Sequence, residues 1–426
     1  MRGDPAVPFP GAAWPLADRA GATAPARVNP LVRAALYVFV LSIPFEMPNR
    51  SFPVEVPTLT AMLLLAAVML HPGAAFRRIP AALYCFLAYL WIYLMMVVVH
   101  RTQPLGLVAE LFFNLAILVL LLWVILNLAA DERVLWGLLL AFALACVVRA
   151  SMQVLGIAAT AREVYTGGAR VTVLGQNANL SAIILSAGLM VVIGLRSATG
   201  RPFRWPATVA WPAAALIGLA IIQTGSRGGL LCAGAGLLTY LFTMPGGTFS
   251  RRVGNIVAAA TAMALLGWGT YRSDMMRHRF EDAEEGHLAG REEIYPAAQG
   301  MVLERPWLGW GPIANQVEIA KRIDERRRGR RDAHNLVLEL LSATGVVGAL
   351  PFLGGLALAL AAAWRARRGP LGALPLAVLA AVLMGTVSGT WIASKILWLA
   401  LALAVGAGTH WAASQPAPQQ PRTCAA

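Results

Sequence analysis

Lysine is almost absent from this chain: of 35 basic residues only Lys321 and Lys395 are lysines, and the remainder are arginines. Charge of either sign is scarce, at 13% of residues, against about 25% in an ordinary soluble domain. That scarcity excludes a conventional solvated surface over most of the chain. Cysteine is represented by Cys85, Cys146, Cys232 and Cys424 alone, scattered and mostly inside apolar runs, with neither metal-ligand spacing nor a disulfide framework. There is no glycine-rich loop closing on Lys-Ser/Thr and no Asp-x-Asp pair, so nothing points to a bound nucleotide or to a metal held by paired aspartates. His278 and His287 also lack ligand spacing, so no metal site and no cofactor is expected.

What the chain has instead is apolar sequence. Hydrophobic residues reach 58% and mean hydropathy is +0.64, the signature of a polytopic membrane protein. Runs near 32–46, 56–71, 80–99, 105–127, 134–155, 178–195, 207–223, 228–244, 253–270, 346–364, 371–389 and 392–411 predict about twelve transmembrane helices in an all-α fold. Residues 1–30 and 412–426 are Pro/Ala/Gly-rich or Pro/Gln-rich and are expected to be disordered tails, the first without a cleavable signal peptide. The organisation predicted between them is nine helices over 31–270, an outer segment over 271–345 and three helices over 346–411.

Net charge is +14, which by itself could suggest nucleic acid. The arginines, however, sit in short loops: Arg77/Arg78, Arg133, Arg196/Arg201/Arg204, Arg251/Arg252 and Arg365/Arg367/Arg368 alternate with arginine-poor turns. The positive-inside rule makes that set cytoplasmic, puts both termini there, and argues for membrane lipids rather than nucleic acid as neighbours. The opposite face then receives the 46–56 turn, the 156–177 loop, the Thr224–Gly229 turn and the long 271–345 segment. Glu110, Arg149, Arg227 and Lys395 lie toward the outer ends of their spans. Charges there are costly and face a cavity or one another. Either Glu110 simply pairs with Arg149, or all four line a polar cavity open to the outer face.

In the outer segment a helix is predicted over about 291–304, burying Ile294, Ala297/Ala298 and Met301 and ending at Arg305-Pro306. Pro306-Trp-Leu-Gly-Trp-Gly-Pro312 is a turn that either anchors at the interface or lets backbone and indole rings approach a sugar or lipid head group. The run of Lys321, Arg322, Arg326, Arg327, Arg328, Arg330 and Arg331 would give a basic face, suited to anionic head groups. Asp332 is an N-cap type before helix formers. A helix capped there would align His334, Leu338, Leu341 and Gly345 on one face, with Asn335, Glu339 and Ser342 as a polar ridge beside it.

His334-Asn335-Leu, followed by Glu339 and Gly345-Val-Val-Gly348, resembles the signature of the O-antigen ligase and polymerase superfamily of bacterial membrane glycosyltransferases. Three further pieces agree in order: Arg170 with Gly175-Gln-Asn-Ala-Asn179-Leu, Thr224-Gly-Ser-Arg227-Gly-Gly229, and Arg291 with Pro306-Trp-Leu-Gly309-Trp-Gly311. Together they cover about residues 165–360; the basic run before Arg331 matches nothing in the pattern. The resemblance implies an inner-membrane enzyme that moves a glycan from an undecaprenyl-pyrophosphate carrier to a sugar hydroxyl in the periplasm. The acceptor would be lipid A-core, or a growing glycan if the protein is a polymerase. It implies inversion at the anomeric carbon and no metal.

In that chemistry a pyrophosphate calls for planar multi-donor cations, hence Arg227 and Arg291, then Arg170. An acceptor hydroxyl calls for a base that titrates near ambient pH, hence His334 as the catalytic residue. Asn335, Glu339 and Asn179 would support it, with Glu110, Arg149 and Lys395 in the surrounding cavity. A secondary transporter is the alternative of a different class; it predicts inverted repeats and midplane charges, and the sequence shows no repeat.

Overall fold

The computed structural model describes residues 28–46, 55–100, 105–164, 168–197, 205–244, 290–323 and 329–414, with 250–284 described in part. The expected span over 253–270 falls largely outside the described residues, as do both tails and Arg326, Arg327 and Arg328.

Apolar composition without amphipathic alternation makes these helices pack on several sides at once. In chain order they are α1 (Pro30–Ser42), α2 (Val56–Leu70), α3 (Ala81–Val99), α4 (Leu105–Leu128), α5 (Glu132–Val154), α6 (Ala178–Ser197), α7 (Ala207–Gln223) and α8 (Arg227–Thr243). The outer segment supplies α9 (Asp274–Glu284), α10 (Arg291–Glu304) and α11 (Ala314–Arg322), before α12 (Leu336–Ala366), α13 (Leu374–Thr386) and α14 (Lys395–Ser414). Among the described residues α3, α4, α5, α6 and α12 are long and apolar enough to cross a membrane, and Pro30–Phe45, Val56–Leu70, Ala207–Gln223, Leu374–Thr386 and Lys395–Thr409 are shorter apolar helices. The protein is therefore an α-helical membrane protein, with one departure from all-α. The 156–177 loop folds into an antiparallel hairpin of β1 (Ala159–Val164) and β2 (Gly168–Val173), with Arg162 opposite Arg170.

The helix α6 sits at the centre, packed against α5, α7, α8 and α13. Its Ser186 donates back to Ala182 O at 2.7 Å, and Gly188 and Gly194 let Cys146 and Leu374 close in. On the other side α12 packs between α3 and α14, where Phe86, Tyr89, Phe352 and Trp398 meet edge to face at 5.0–5.3 Å for the nearest pairs. Such geometry adds to their buried area because ring edges are electropositive and faces electronegative.

The outer segment is tied to the bundle by backbone contacts. Gly345 breaks α12 with φ 62° and ψ −168°, as its position predicts, and frees the groups that the turn after α10 then uses. Trp310 N donates to Ser342 O and Gly311 N to Ala343 O, both at 2.8 Å, while Val346 N donates to Pro306 O at 2.8 Å. A side chain at Gly309 or Gly345 would collide with main-chain atoms of the other strand of this contact. Those glycines therefore serve a backbone-to-backbone junction, a role that neither sequence reading of the Pro306–Pro312 turn includes.

Candidate functional site

Three elements meet on the turn after α13. From α10, Arg291 Nη2 donates to Ser388 O at 2.7 Å, and the Tyr295 hydroxyl shares its hydrogen between Val387 O at 3.0 Å and His334 O at 3.3 Å. From the loop before α12, Asn335 Nδ2 donates to Val387 O at 3.2 Å. From α8, Gly228, the residue after Arg227, lies so close that an added Cβ would sit 2.9 Å from Ser388 Oγ. This contact surface, residues 387–390, carries no ionisable group.

Asp332 does not cap the following helix. The N-cap is Asn335, whose Oδ1 accepts from Val337 N at 3.0 Å and Leu338 N at 3.1 Å. The reason is local: Asn335 is itself a strong capping type and directly precedes the apolar run. His334 consequently sits outside the helix, at φ 49°, and does not share a helical face with Leu338 and Leu341. That backbone region is uncommon outside glycine and costs on the order of 1–3 kcal/mol. Asp332, released from capping, takes Nδ1 of His334 on Oδ1 at 3.0 Å and the Thr390 hydroxyl on Oδ2 at 2.7 Å. Burial alone would push its carboxyl up, but the hydrogen bonds and charges of His334, Thr390 and Arg331 bring it below the ordinary carboxylate range. Burial raises the Tyr295 hydroxyl, against the charge of Arg291, so it remains a donor.

Glu339 is not an orienter of the imidazole. Its Oε1 accepts from Asn315 Nδ2 and Gln316 Nε2, each at 3.0 Å, and its Oε2 accepts from Ala333 N at 2.8 Å. The buried carboxylate therefore fastens the residue before His334 to α11 and helps hold the left-handed backbone in place.

A second group joins the first through α8. Arg170 on β2 donates from Nε to Thr224 O and from Nη2 to Asn179 Oδ1, both at 2.9 Å. The same Asn179 oxygen accepts from Ser226 Oγ at 2.9 Å, and Ser226 caps α8 through Gly229 N at 3.1 Å. Arg227 is thus the first residue of a capped helix, fixed beside Gly228 and Ser388. Arg170, Asn179 and Ser226 thus form one hydrogen-bonded group at the start of α8, and Arg291, Tyr295, Asn335 and the main-chain oxygen of His334 form another around Val387 and Ser388.

Of the four charges expected to share a cavity, Glu110 and Lys395 line one cleft, and neither Arg149 nor Arg227 is among its lining residues. Arg149 is bonded to Gln176 and Ser181 rather than to Glu110. Lys395 bridges Glu46 at 2.8 Å and Glu55 at 3.3 Å. Glu110 lines a cleft of about 360 Å³ with Glu55, Asn114 and Lys395 at its polar end. Of the four, Arg227 is the one whose chain neighbour, Gly228, meets Ser388. The basic run is partly neutralised within the outer segment: Arg322 pairs with Glu304 and Glu318, and Lys321 approaches Glu318 at 3.5 Å. Tyr295, Asp332 and the 387–390 turn were not singled out as site residues. Asn335 ahead of an apolar run was the available signal for Asp332; the turn, whose contacts are through main-chain oxygens, offered none.

Fold and geometry define a helical membrane protein with a histidine–carboxylate pair set among arginines at the junction of an outer segment and the bundle. Residues 212–353, from α7 through the first half of α12, match the family model described as O-antigen ligase. That match supports the O-antigen ligase superfamily, the one the motifs resemble, and its residues include Arg227, Arg291 and His334. No curated protein matches the chain.

Proposed function

We propose that the protein is an inner-membrane glycosyltransferase that ligates a glycan from a polyprenyl-pyrophosphate carrier to a sugar hydroxyl of lipid A-core at the periplasmic face. About twelve membrane crossings with both termini cytoplasmic would put the 271–345 segment and the constellation on that face. The observation that carries the reading is the convergence of Arg291, Tyr295, Asn335 and, through Gly228, Arg227 on Val387 and Ser388, beside the Asp332–His334 pair.

Asp332 holds Nδ1 of His334 as the donor, which leaves Nε2 to accept a proton. In the reaction the acceptor hydroxyl oxygen forms a bond to the anomeric carbon while the bond from that carbon to the pyrophosphate oxygen breaks. The hydroxyl proton passes to Nε2, and the electron pair leaves with the polyprenyl pyrophosphate. A single displacement inverts the anomeric carbon. Arg227, Arg291 and Arg170 stabilise the developing charge on the leaving group, a task that fixed guanidinium forks perform well because they need not reorganise. The bonds of Arg291 to Ser388 O and of Arg170 to Thr224 O and Asn179 Oδ1 orient two of these forks.

The test is transfer in membranes from a strain that expresses His334→Ala in place of the native chain. Loss of lipid A-core-linked glycan with accumulation of lipid-linked polymer is expected. Normal transfer would remove His334 from catalysis, and accumulation of single lipid-linked repeats would make the protein a polymerase that uses the same donor.

A further inference from the structure

Arg149 is the one ionisable residue among the largest fully buried side chains, at 1% exposure, and among the described residues no carboxylate pairs with it. Its Nη2 donates to Gln176 Oε1 at 2.6 Å and to Ser181 Oγ at 2.5 Å, both neutral acceptors. Its Nη1 is buried with no acceptor. Gln176, 4% exposed, has the complementary problem: Nε2 is also buried and without a partner. The orientation of that amide is not arbitrary. A guanidinium can only donate, so the oxygen must face Arg149 and the NH₂ must be the orphan. Ser181, fully buried, accepts from the same guanidinium and so turns its own hydrogen elsewhere.

Two groups joined by one hydrogen bond thus carry two buried, unanswered donors, a third donor stands beside them, and the set bears a full positive charge. An uncompensated buried charge is expensive, and more so within a membrane helix. The N-terminus of α6, where Ser181 lies in the first turn, adds partial positive charge to the same place. Gln153, one turn along α5, has an unpaired buried Oε1, so a water could satisfy part of the demand, but a water supplies no charge. We infer that Arg149, Gln176 and Ser181 form a buried site for a small monovalent anion of the halide class, held between α5 and the start of α6. The anion would lock the turn from β2 into α6, and with it Asn179, which receives both Arg170 and Ser226.

The experiment uses the purified full-length protein exchanged into sodium gluconate and titrated with sodium chloride or bromide at constant ionic strength. A ligand that binds only the folded state raises its melting temperature. A saturable rise of several degrees with halide and none with gluconate is expected, together with a bromide anomalous peak in hydrogen-bonding range of Arg149 Nη1. Arg149→Met removes the charge and should abolish the halide response; because that variant could fail to fold, Gln176→Glu is the decisive partner. Gln176→Glu places a built-in carboxylate against Arg149 and should be as stable in gluconate as the native protein is in chloride, with no response to halide. Equal melting in gluconate and chloride for the native chain, or an undiminished halide response in Gln176→Glu, would overturn the site. None of these readouts depends on transferase activity.

Discussion

Two charged clusters lie at helix ends, and they use their carboxylates differently. Lys395 is enclosed by Glu46 and Glu55, each within 3.3 Å, so that its charge is met by carboxylates of the same chain. In the cluster around His334 the carboxylate of Asp332 holds an imidazole, while Arg291 donates to Ser388 O and Arg170 to Thr224 O and Asn179 Oδ1. The bonds from Arg291 and Arg170 to main-chain and amide oxygens fix those guanidinium groups in space. The first arrangement staples α14 to the chain segments around α2; the second is the one that the proposed function places against the leaving group. What each carboxylate holds, an imidazole in one cluster and an ammonium in the other, is the difference between them.

The comparison breaks most readily at His334. Replacement by Asn, which tolerates the left-handed backbone at this position, should leave thermal stability close to native while transfer falls by about 10²–10⁴-fold, the usual range for a lost general base. Transfer measured in membranes at matched protein level checks it; a folded Asn variant with native transfer would reduce the site to architecture. Arg291→Lys should come next, with a loss of about 10-fold or more, because an ammonium cannot bond Ser388 O and still present a second planar donor pair. The readout is the dependence of rate on donor concentration.

Lys395→Met tests the other cluster. It leaves Glu46 and Glu55 facing each other at a partly buried site, and breaking such a pair costs up to about 3 kcal/mol. Thermal unfolding should show this loss, with transfer reduced only in proportion to folded protein. A larger fall in transfer than in folded protein would join the two clusters functionally and undo the distinction drawn between them.

Much of this was legible in the sequence, and the parts that were not share a cause. The helix over Arg291–Glu304 and its buried Ile294, Ala298 and Met301 follow from periodicity and from Pro306 after its end. Arg170, Asn179, Arg227, Arg291 and His334 were singled out through motif order; the fold bonds Arg170 to Asn179 and brings Arg291 and the main chain of His334 to one turn through Ser388 and Tyr295. Periodicity misled at residue 332, where two capping types compete and the nearer one to the apolar run wins. It could not disclose the 387–390 turn, because main-chain oxygens recruit Arg291, Asn335 and Tyr295 there, and any sequence has those oxygens. Nor could it divide the spanning charges, since their shared depth along the helix axes carries no information about which neighbours they face. Arg149 and Lys395 differ in azimuth and in partner, a tertiary property.

Asp332 provides the smallest expected effect and the finest test of the comparison, because it is the carboxylate that serves an imidazole rather than a lysine. Its folded-state pKa lies below the ordinary value. A depressed carboxylate stabilises the fold fully above its unfolded pKa, and that contribution is lost as pH falls through the folded value. Native protein should therefore lose a small increment of thermal stability on the acid side, below about pH 4, where ordinary carboxylates titrate. Asp332→Asn keeps an acceptor for Thr390 but no charge, so its melting temperature should be slightly lower near neutrality and this acid-side increment should be missing. The same variant leaves the imidazole without its anchor at Nδ1, so transfer should fall more than stability does. If Asp332→Asn retains native transfer, the ring is oriented by its backbone and the Tyr295 contact alone, and the pair with Asp332 belongs with Lys395 among the structural contacts.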